Sequence, residues 1–240
     1  MTRRSAILLF SCSPEDLGWE EERSSTPGLR QEVGLLHDAI VADLAERLLE
    51  LTSCRVVVFE TGDTCIESAT PIPSKVERKT QPPGLLHRRV QECVREIMDG
   101  DEPSGVVVFL GRNPLYPMHL LTRGIELLAQ EDDVIVLGES LQQNNQPSLM
   151  WLAMKSYHPE IFEHNERWWE GGTPLLQAAA DVEALVMTVR PVRNIASIDD
   201  LGYLFHEIER EVLLKQWHPV RTYEALWRMR RKHLIPETSG

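Results

Sequence analysis

Gly105-Val106-Val107-Val108-Phe109-Leu110, running straight into Gly111-Arg112-Asn113-Pro114, is the stretch on which the fold turns. Six residues without a charge and without alternation predict a strand covered on both faces, as in a parallel sheet. The strand stops at a glycine, two polar residues and a proline. Helical spacing then predicts a helix over 117–130. The same grammar repeats on either side. Ala6–Phe10, Arg55–Phe59 and Asp133–Gly138 are further apolar runs of strand length. Between them, Leu35, Leu36, Ile40, Val41, Leu44 and Leu48 recur at helical spacing over 33–51. Leu85, Val90, Val94 and Ile97 do so over 84–98. Strand and helix in alternation imply a three-layer α/β/α sandwich with a mostly parallel central sheet.

Outside these units the pattern is looser. Residues 11–31 and 61–83 are long polar stretches with prolines, and 140–146 reads as a polar loop. Leu149–Met154 and Ala184–Val189 are further strand candidates, and 159–164 a short helix. Thr173-Pro174 opens another helix, with proline in the first turn. Ser197-Ile198-Asp199-Asp200 has capping-box spacing ahead of a helix expected to reach Trp217. His218-Pro219 breaks it. A last helix carries Trp227 and the basic run Arg228–His233. The expected organisation is one α/β domain over 1–212. A helical extension over 213–240 packs on that domain or on a partner.

Composition narrows the function. The 240 residues are 42% hydrophobic and 26% charged, enough for a sizeable core, and carry a net charge of −12. That charge argues against nucleic-acid binding, which needs a basic face, and against docking on anionic membranes. No apolar stretch approaches the ~18 residues of a membrane span. Met1-Thr2-Arg3-Arg4 and the short run after it read as the lead into a first strand rather than a signal peptide. Cys12, Cys54, Cys65 and Cys93 form no C-x-x-C pair and read as reduced thiols. A bacterial-type cytoplasm is the expected location. His37 and His87 are expected at or near the surface, and His158 and His164 do not form a ligand cluster.

In open parallel sheets ligands bind beyond the carboxyl ends of the strands. Ser11 onward, Gly111 onward and Glu139 onward leave such ends. Ser11 and Ser13 can offer hydroxyls and backbone N–H groups to a phosphate. Gly111, Arg112 and Asn113 lie where a ligand is expected. Asp199 and Asp200 read as helix first-turn acids rather than a metal pair.

In order and spacing the segments resemble the glycosyltransferase A-type (GT-A) nucleotide-diphospho-sugar transferases, and within them the small bacterial family DUF2064. The likeness runs from about residue 5 to residue 210. Gly111-Arg112-Asn113-Pro114 stands where that family has Gly-Ser-Asp-Cys-Pro, and Leu120-Leu121 fits its helix start. Asp133–Gly138 matches Asp-Val-Val-Leu-Gly. Pro159-Glu160-Ile161-Phe162 matches Pro-Glu-Leu-Phe. Thr173-Pro174 matches a Thr-Pro helix start. Gln81-Pro82-Pro83-Gly84 parallels a Gln and Gly-Asp-Leu-Gly segment. The signature Asp-x-Asp-Thr-Pro-Glu-Asp-Leu reads here as Asn194-Ile195-Ala196-Ser197-Ile198-Asp199-Asp200-Leu201.

The resemblance implies Mg²⁺ or Mn²⁺ held by carboxylates beside a nucleotide diphosphate. This chain departs from it at those positions. The strand-end Asp is Asn113, and the paired Asp residues are Asn194 and Ala196. Of the Pro-Gly-x-x-Lys-x-Arg phosphate run, Pro27-Gly28-Leu29-Arg30 remains, with Gln31 for the Lys and Val33 for the Arg. No metal cofactor is therefore expected. The candidate ligand-binding set is Ser11, Ser13, Arg30, Gly111, Arg112, Asn113, Thr173 and Asn194, with no catalytic residue assigned. Two readings of function follow. The favoured one is a non-catalytic descendant that binds a nucleotide, a nucleotide-sugar, or a protein partner or second copy through its Trp-bearing C-terminal surface. The other is a metal-independent glycosyl- or nucleotidyltransferase in which Arg112 and Arg30 hold the diphosphate.

Overall fold

The computed structural model describes residues 4–11, 28–51, 54–61, 71–101, 103–130, 133–141, 147–163, 173–195, 197–214 and 217–235. In chain order the elements are β1 (Ser5–Phe10), α1 (Leu29–Leu48), β2 (Cys54–Glu60), β3 (Glu77–Thr80), α2 (Leu86–Asp101), β4 (Val106–Phe109) and α3 (Met118–Gln130). There follow β5 (Val134–Leu141), β6 (Pro147–Met154), α4 (Pro159–Glu163), α5 (Thr173–Asp181), β7 (Leu185–Arg193), α6 (Asp199–Leu213) and α7 (Val220–Arg231). The seven strands form one sheet in the order β3-β2-β1-β4-β6-β5-β7. Neighbours run parallel except β6, which is antiparallel to both β4 and β5. Residues 142–146 are too few for the crossover that a parallel β5–β6 pair needs, so the chain must turn straight back.

Alternate strand residues feed two cores. Ile7, Leu9, Val56, Val58, Val107 and Phe109 face the layer of α1, α3, α6 and α7. Leu8, Phe10, Val57, Phe59, Val108 and Leu137 face α2, α4 and α5. The three-layer α/β/α sandwich with a largely parallel sheet is the architecture that the unbroken apolar runs imply.

Some elements differ from the sequence expectation. β3 lies inside the polar 61–83 stretch. Its Glu-Arg-Lys-Thr sequence has no apolar residue, because an edge strand needs only its backbone ladder. There Arg78 closes a two-nitrogen fork on Glu60 at 2.7–3.1 Å. β5 continues to Leu141, so Ser140 and Leu141 belong to the sheet and not to a loop. β7 continues past Val189 to Arg193 and tolerates Pro191 because it is the other edge. α6 stops at Leu213, leaving Trp217 outside it.

The register of β6 against β5 slips between Gly138 and Glu139. Trp151 pairs with Gly138 and Leu149 with Glu139, so Met150 is the extra residue of a bulge. The bulge puts both Met150 and Trp151 into the α1/α3 core. Trp151 is fully buried, and its indole N–H donates to the Tyr116 hydroxyl at 2.8 Å. Its ring fills the space that side chains at Gly124 and Gly138 would need. A Cβ at those positions would stand 2.4 and 2.2 Å from indole atoms.

α7 lies antiparallel on α1, clamped at both ends by buried acids. Asp43, near the end of α1, accepts the Thr222 N–H at 2.8 Å and the Arg221 guanidinium at 2.9 Å, and Arg221 also bonds Glu46. Asp43 thereby caps a helix whose own N-cap residue, Pro219, offers no side-chain bond. Glu32, in the first turn of α1, accepts from Arg228 at 2.7 Å and Lys232 at 2.6 Å. Part of the basic run therefore serves the chain itself. The same clamp explains why α1 starts a turn before its apolar periodicity does. Ala225, Leu226 and Met229 complete the contact with the core.

Two outcomes test this packing. Gly138→Ala should destabilise the protein by about 1–3 kcal/mol through overpacking against Trp151, read as a lower urea midpoint at unchanged slope. The second concerns acid. Burial raises the Glu32 pKa, but the Lys232 and Arg228 bonds outweigh it and leave the carboxyl below its ordinary 4.5. Its contribution is complete above that value and lost as pH falls through the lower folded one. The melting-temperature gap between wild type and Glu32→Gln should therefore be widest near neutrality and close on acidification below 4.5. A gap that persists unchanged into acid would contradict the clamp.

Candidate functional site

Beyond the carboxyl ends of β1, β2 and β4 the backbone is held by a few buried polar groups. Ser11, the residue after β1, donates its N–H to the Phe59 carbonyl at 2.9 Å. Gln81, the residue after β3, is 5% exposed and reaches across. Its amide nitrogen donates to the Ser11 carbonyl at 2.5 Å and to the Phe59 carbonyl at 2.8 Å. Three strand ends are thus tied by one side chain. The Gln81 amide oxygen is buried and has no hydrogen-bond donor among the described residues. An unpaired buried acceptor costs free energy that a donor from a ligand or water can recover. Sequence reasoning had Gln81 only as a matched motif residue. The signal it missed is a lone polar residue closing an edge strand.

On the other side of the sheet centre, Gly111 sits against the β6 bulge. Its N–H and that of Leu110 both donate to the Met150 carbonyl at 2.8 Å. A Cβ on Gly111 would lie 1.6 Å from the Met150 sulfur, so only glycine fits. The next two residues reach β7. Arg112 donates its backbone N–H to the Asn194 side-chain oxygen at 2.9 Å. Asn113 donates its side-chain nitrogen to the Arg193 carbonyl at 2.8 Å and accepts the Leu115 N–H at 2.9 Å. The two asparagines therefore stitch β4 to β7, strands that are not neighbours.

The carboxylates near this stitch are also engaged. Asp200 is 2% exposed and bonds the Arg193 guanidinium at 2.8 Å through one oxygen. Through the other it accepts the Ser197 N–H at 3.1 Å and hydroxyl at 3.0 Å. That is the acid arm of the expected capping box, with the serine hydroxyl donating to Asp200. Arg193 lies 3.9 Å from the Tyr203 ring centre. Asp199 is exposed in the same first turn.

These residues do not suit a divalent cation. The oxygens of Asn113 and Asn194 each already accept a backbone N–H, and neither brings a negative charge. Among the described residues, no group of three or more His, Cys, Asp or Glu side chains is gathered where it could hold a metal ion. His158 bonds Asp133 at 3.0 Å. His37 and His87 are each 5% exposed, so both are core residues and not surface ones. Cys54 and Cys93 are buried free thiols, and burial pushes Cys93 up to about 12, away from nucleophilic use.

Of the sequence candidates, the structure brings Ser11 to the β1 end and Gly111, Arg112, Asn113 and Asn194 together at the β4–β7 stitch. Ser13, Cys12, Cys65, Ala196, His164, Trp168 and Trp169 lie outside the described residues, as do the side chains of Arg30 and Thr173. The Arg30 backbone is in the first turn of α1, and Thr173 opens α5.

The stitch has a measurable consequence. Asn113→Ala strands the Leu115 N–H and the Arg193 carbonyl and should cost about 2 kcal/mol. Asn113→Asp should cost as much, because a carboxylate cannot donate to that carbonyl. Urea unfolding at neutral pH reads both, and full stability of the Asp variant would overturn this role for the amide.

No protein-family model matches the sequence, and no curated protein does. Solved structures do match in fold. One carries the name nucleotide-diphospho-sugar transferase and comes from Desulfovibrio desulfuricans G20. It superposes with a TM-score of 0.71 at 16% identity, covering 98% of this chain and 99% of that one. A homologue of Mycobacterium tuberculosis Rv0371c from Mycobacterium sp. strain JC1 gives a TM-score of 0.52 at 11% identity, covering 88% of this chain and 99% of that one. A CMP:2-keto-3-deoxy-manno-octonic acid synthetase solved with CTP gives 0.52 at 9% identity, covering 88% and 100%. At these identities the likeness is one of fold alone, a three-layer α/β/α sandwich with a largely parallel sheet.

Proposed function

We propose that this protein is a divergent, non-catalytic member of the GT-A, nucleotide-diphospho-sugar transferase-like superfamily, close to the DUF2064 group, which uses the carboxyl-end edge of its sheet to bind without metal-assisted transfer. The observation that carries this reading is the β4–β7 stitch. Where the resemblance calls for metal carboxylates stand Asn113 and Asn194, and both amides are committed to holding the backbone. A group that must stay bonded to keep two strand ends together is poorly placed to neutralise a leaving diphosphate.

The ligand this reading favours is a nucleotide or nucleotide-sugar. The buried spare acceptor of Gln81 beside Ser11 supports it, since a ligand bearing N–H groups would pair that oxygen. A protein partner or second copy is the other ligand class. It is supported by Val212, Leu213, Leu214, Val220 and Trp227, which are exposed around the end of α6 and along α7. Residues 213–240 would then serve both as an integral part of the domain and as its contact surface. No helix among the described residues is long and apolar enough to cross a membrane.

Thermal-shift titration with UDP-, GDP- and CDP-sugars, each with and without Mg²⁺ or Mn²⁺, tests the reading. The expected outcome is a nucleotide-dependent rise in melting temperature that is the same with and without metal. A rise that requires metal would restore the transferase reading. No rise with any nucleotide would leave the partner surface as the binding function.

A further inference from the structure

Three helix ends and a connection meet at a corner beside the Gly111–Pro114 segment. They are the last turn of α1 with Arg47, the entry to α3 with Leu115, Met118 and His119, the end of α6 with Glu211, and the α6–α7 connection with Trp217. Together they line a cavity of about 390 Å³, a volume suited to a small molecule.

Arg47 is the unusual group there. Its guanidinium lies 4.6 Å from the Trp217 ring centre, and one nitrogen donates to the Pro114 carbonyl at 3.2 Å. Arg78, Arg193, Arg221 and Arg228 each bond a carboxylate, on Glu60, Asp200, Asp43 and Glu32. Arg47 has no carboxylate within 4.0 Å among the described residues, and its other N–H groups make no hydrogen bond there. Burial pulls its pKa below the usual arginine value, while Glu50 and Glu211 act the other way through longer-range attraction. A guanidinium that is stacked, oriented and partly desolvated, with donors to spare, is a preorganised oxyanion receptor.

Glu211 shares the cavity, and among the described residues its ion-pair neighbour is Arg210 at a loose 4.0 Å. A carboxylate in the lining disfavours a dianion such as phosphate and favours a ligand that also carries a cationic donor. Leu115, Met118 and the Trp217 ring supply apolar walls between the two charges.

We propose that this cavity is a binding site for a small zwitterion of the amino-acid class, with its carboxylate on Arg47, its ammonium on Glu211 and its side chain against Leu115, Met118 and Trp217. The site is separate from the strand-end cleft and independent of what that cleft binds. Its links to the strand-end residues are the Pro114 carbonyl held by Arg47 and the Leu115 N–H held by Asn113.

Isothermal titration calorimetry on the full chain tests the proposal. The probes are L-phenylalanine and L-leucine, N-acetyl-L-phenylalanine without the ammonium, phenylethylamine without the carboxylate, and inorganic phosphate. At least one zwitterion should bind, and loss of either charged end should weaken binding by about tenfold or more. Arg47→Gln should abolish binding of the zwitterion. Glu211→Gln should weaken it while leaving N-acetyl-L-phenylalanine unaffected. Trp217→Phe should remove any fluorescence quenching on titration. Circular dichroism checks that each variant folds. If Arg47→Gln does not fold, the wild-type probe series and Glu211→Gln decide. No heat from either zwitterion, equal affinity for the charge-deleted probes, or tighter binding of phosphate would each overturn the proposal.

Discussion

The indole of Trp151 occupies room that two elements must leave for it. Gly138 on β5 and Gly124 on α3 are bare because its ring lies against them, and Tyr116 is fixed beneath the sheet by its N–H. This is possible because β6 bulges at Met150 and turns two successive side chains to the same face. The same bulge aims the Met150 carbonyl at Leu110 and Gly111. One packing solution in the core therefore sets where β4 ends and where its loop begins. A close-packed interior transmits such a choice, since there is no slack to absorb it.

From that point the loop has a single course. Gly111 passes the Met150 sulfur, and the next residues bridge to β7 through two asparagine side chains. In a parallel sheet the carboxyl ends are where a fold of this kind presents its chemistry. Here that edge is braced by neutral amides on one side and by Gln81 on the other. Neutral groups satisfy buried backbone without the desolvation penalty of a charge. They also bring no negative charge to the positions where the resemblance implies metal ligands.

The acids that are buried serve architecture elsewhere. Glu32 and Asp43 clamp α7, and Asp200 holds Arg193 while bonding the turn before α6. An acidic chain can bury these carboxylates because each meets a cation or a backbone N–H. Arg47 is the reverse case, a half-buried cation set on a tryptophan ring with no acid in contact among the described residues.

Much of this was legible in the residues. Gly105–Leu110, Ala6–Phe10 and Arg55–Phe59 read as doubly covered strands because an apolar run without alternation leaves no polar face for water. The helices between them read from spacing alone. Asn113 and Asn194 were visible as neutral residues at positions where the resemblance implies acids. What they do was not visible, because their partners are 80 and 82 residues away. β3 was hidden because an edge strand needs no apolar side chain, and Gln81 because its partners are backbone carbonyls of other strands. The sequence by itself determined the layers, the largely parallel sheet and the neutral residues Asn113, Asn194 and Ala196 where the resemblance implies carboxylates, all of which follow from side-chain chemistry and short-range period. The bulge at Met150, the stitch from β4 to β7 and the corner around Arg47 were decided by the tertiary structure, because each is a contact between distant segments that exists only once the core has closed.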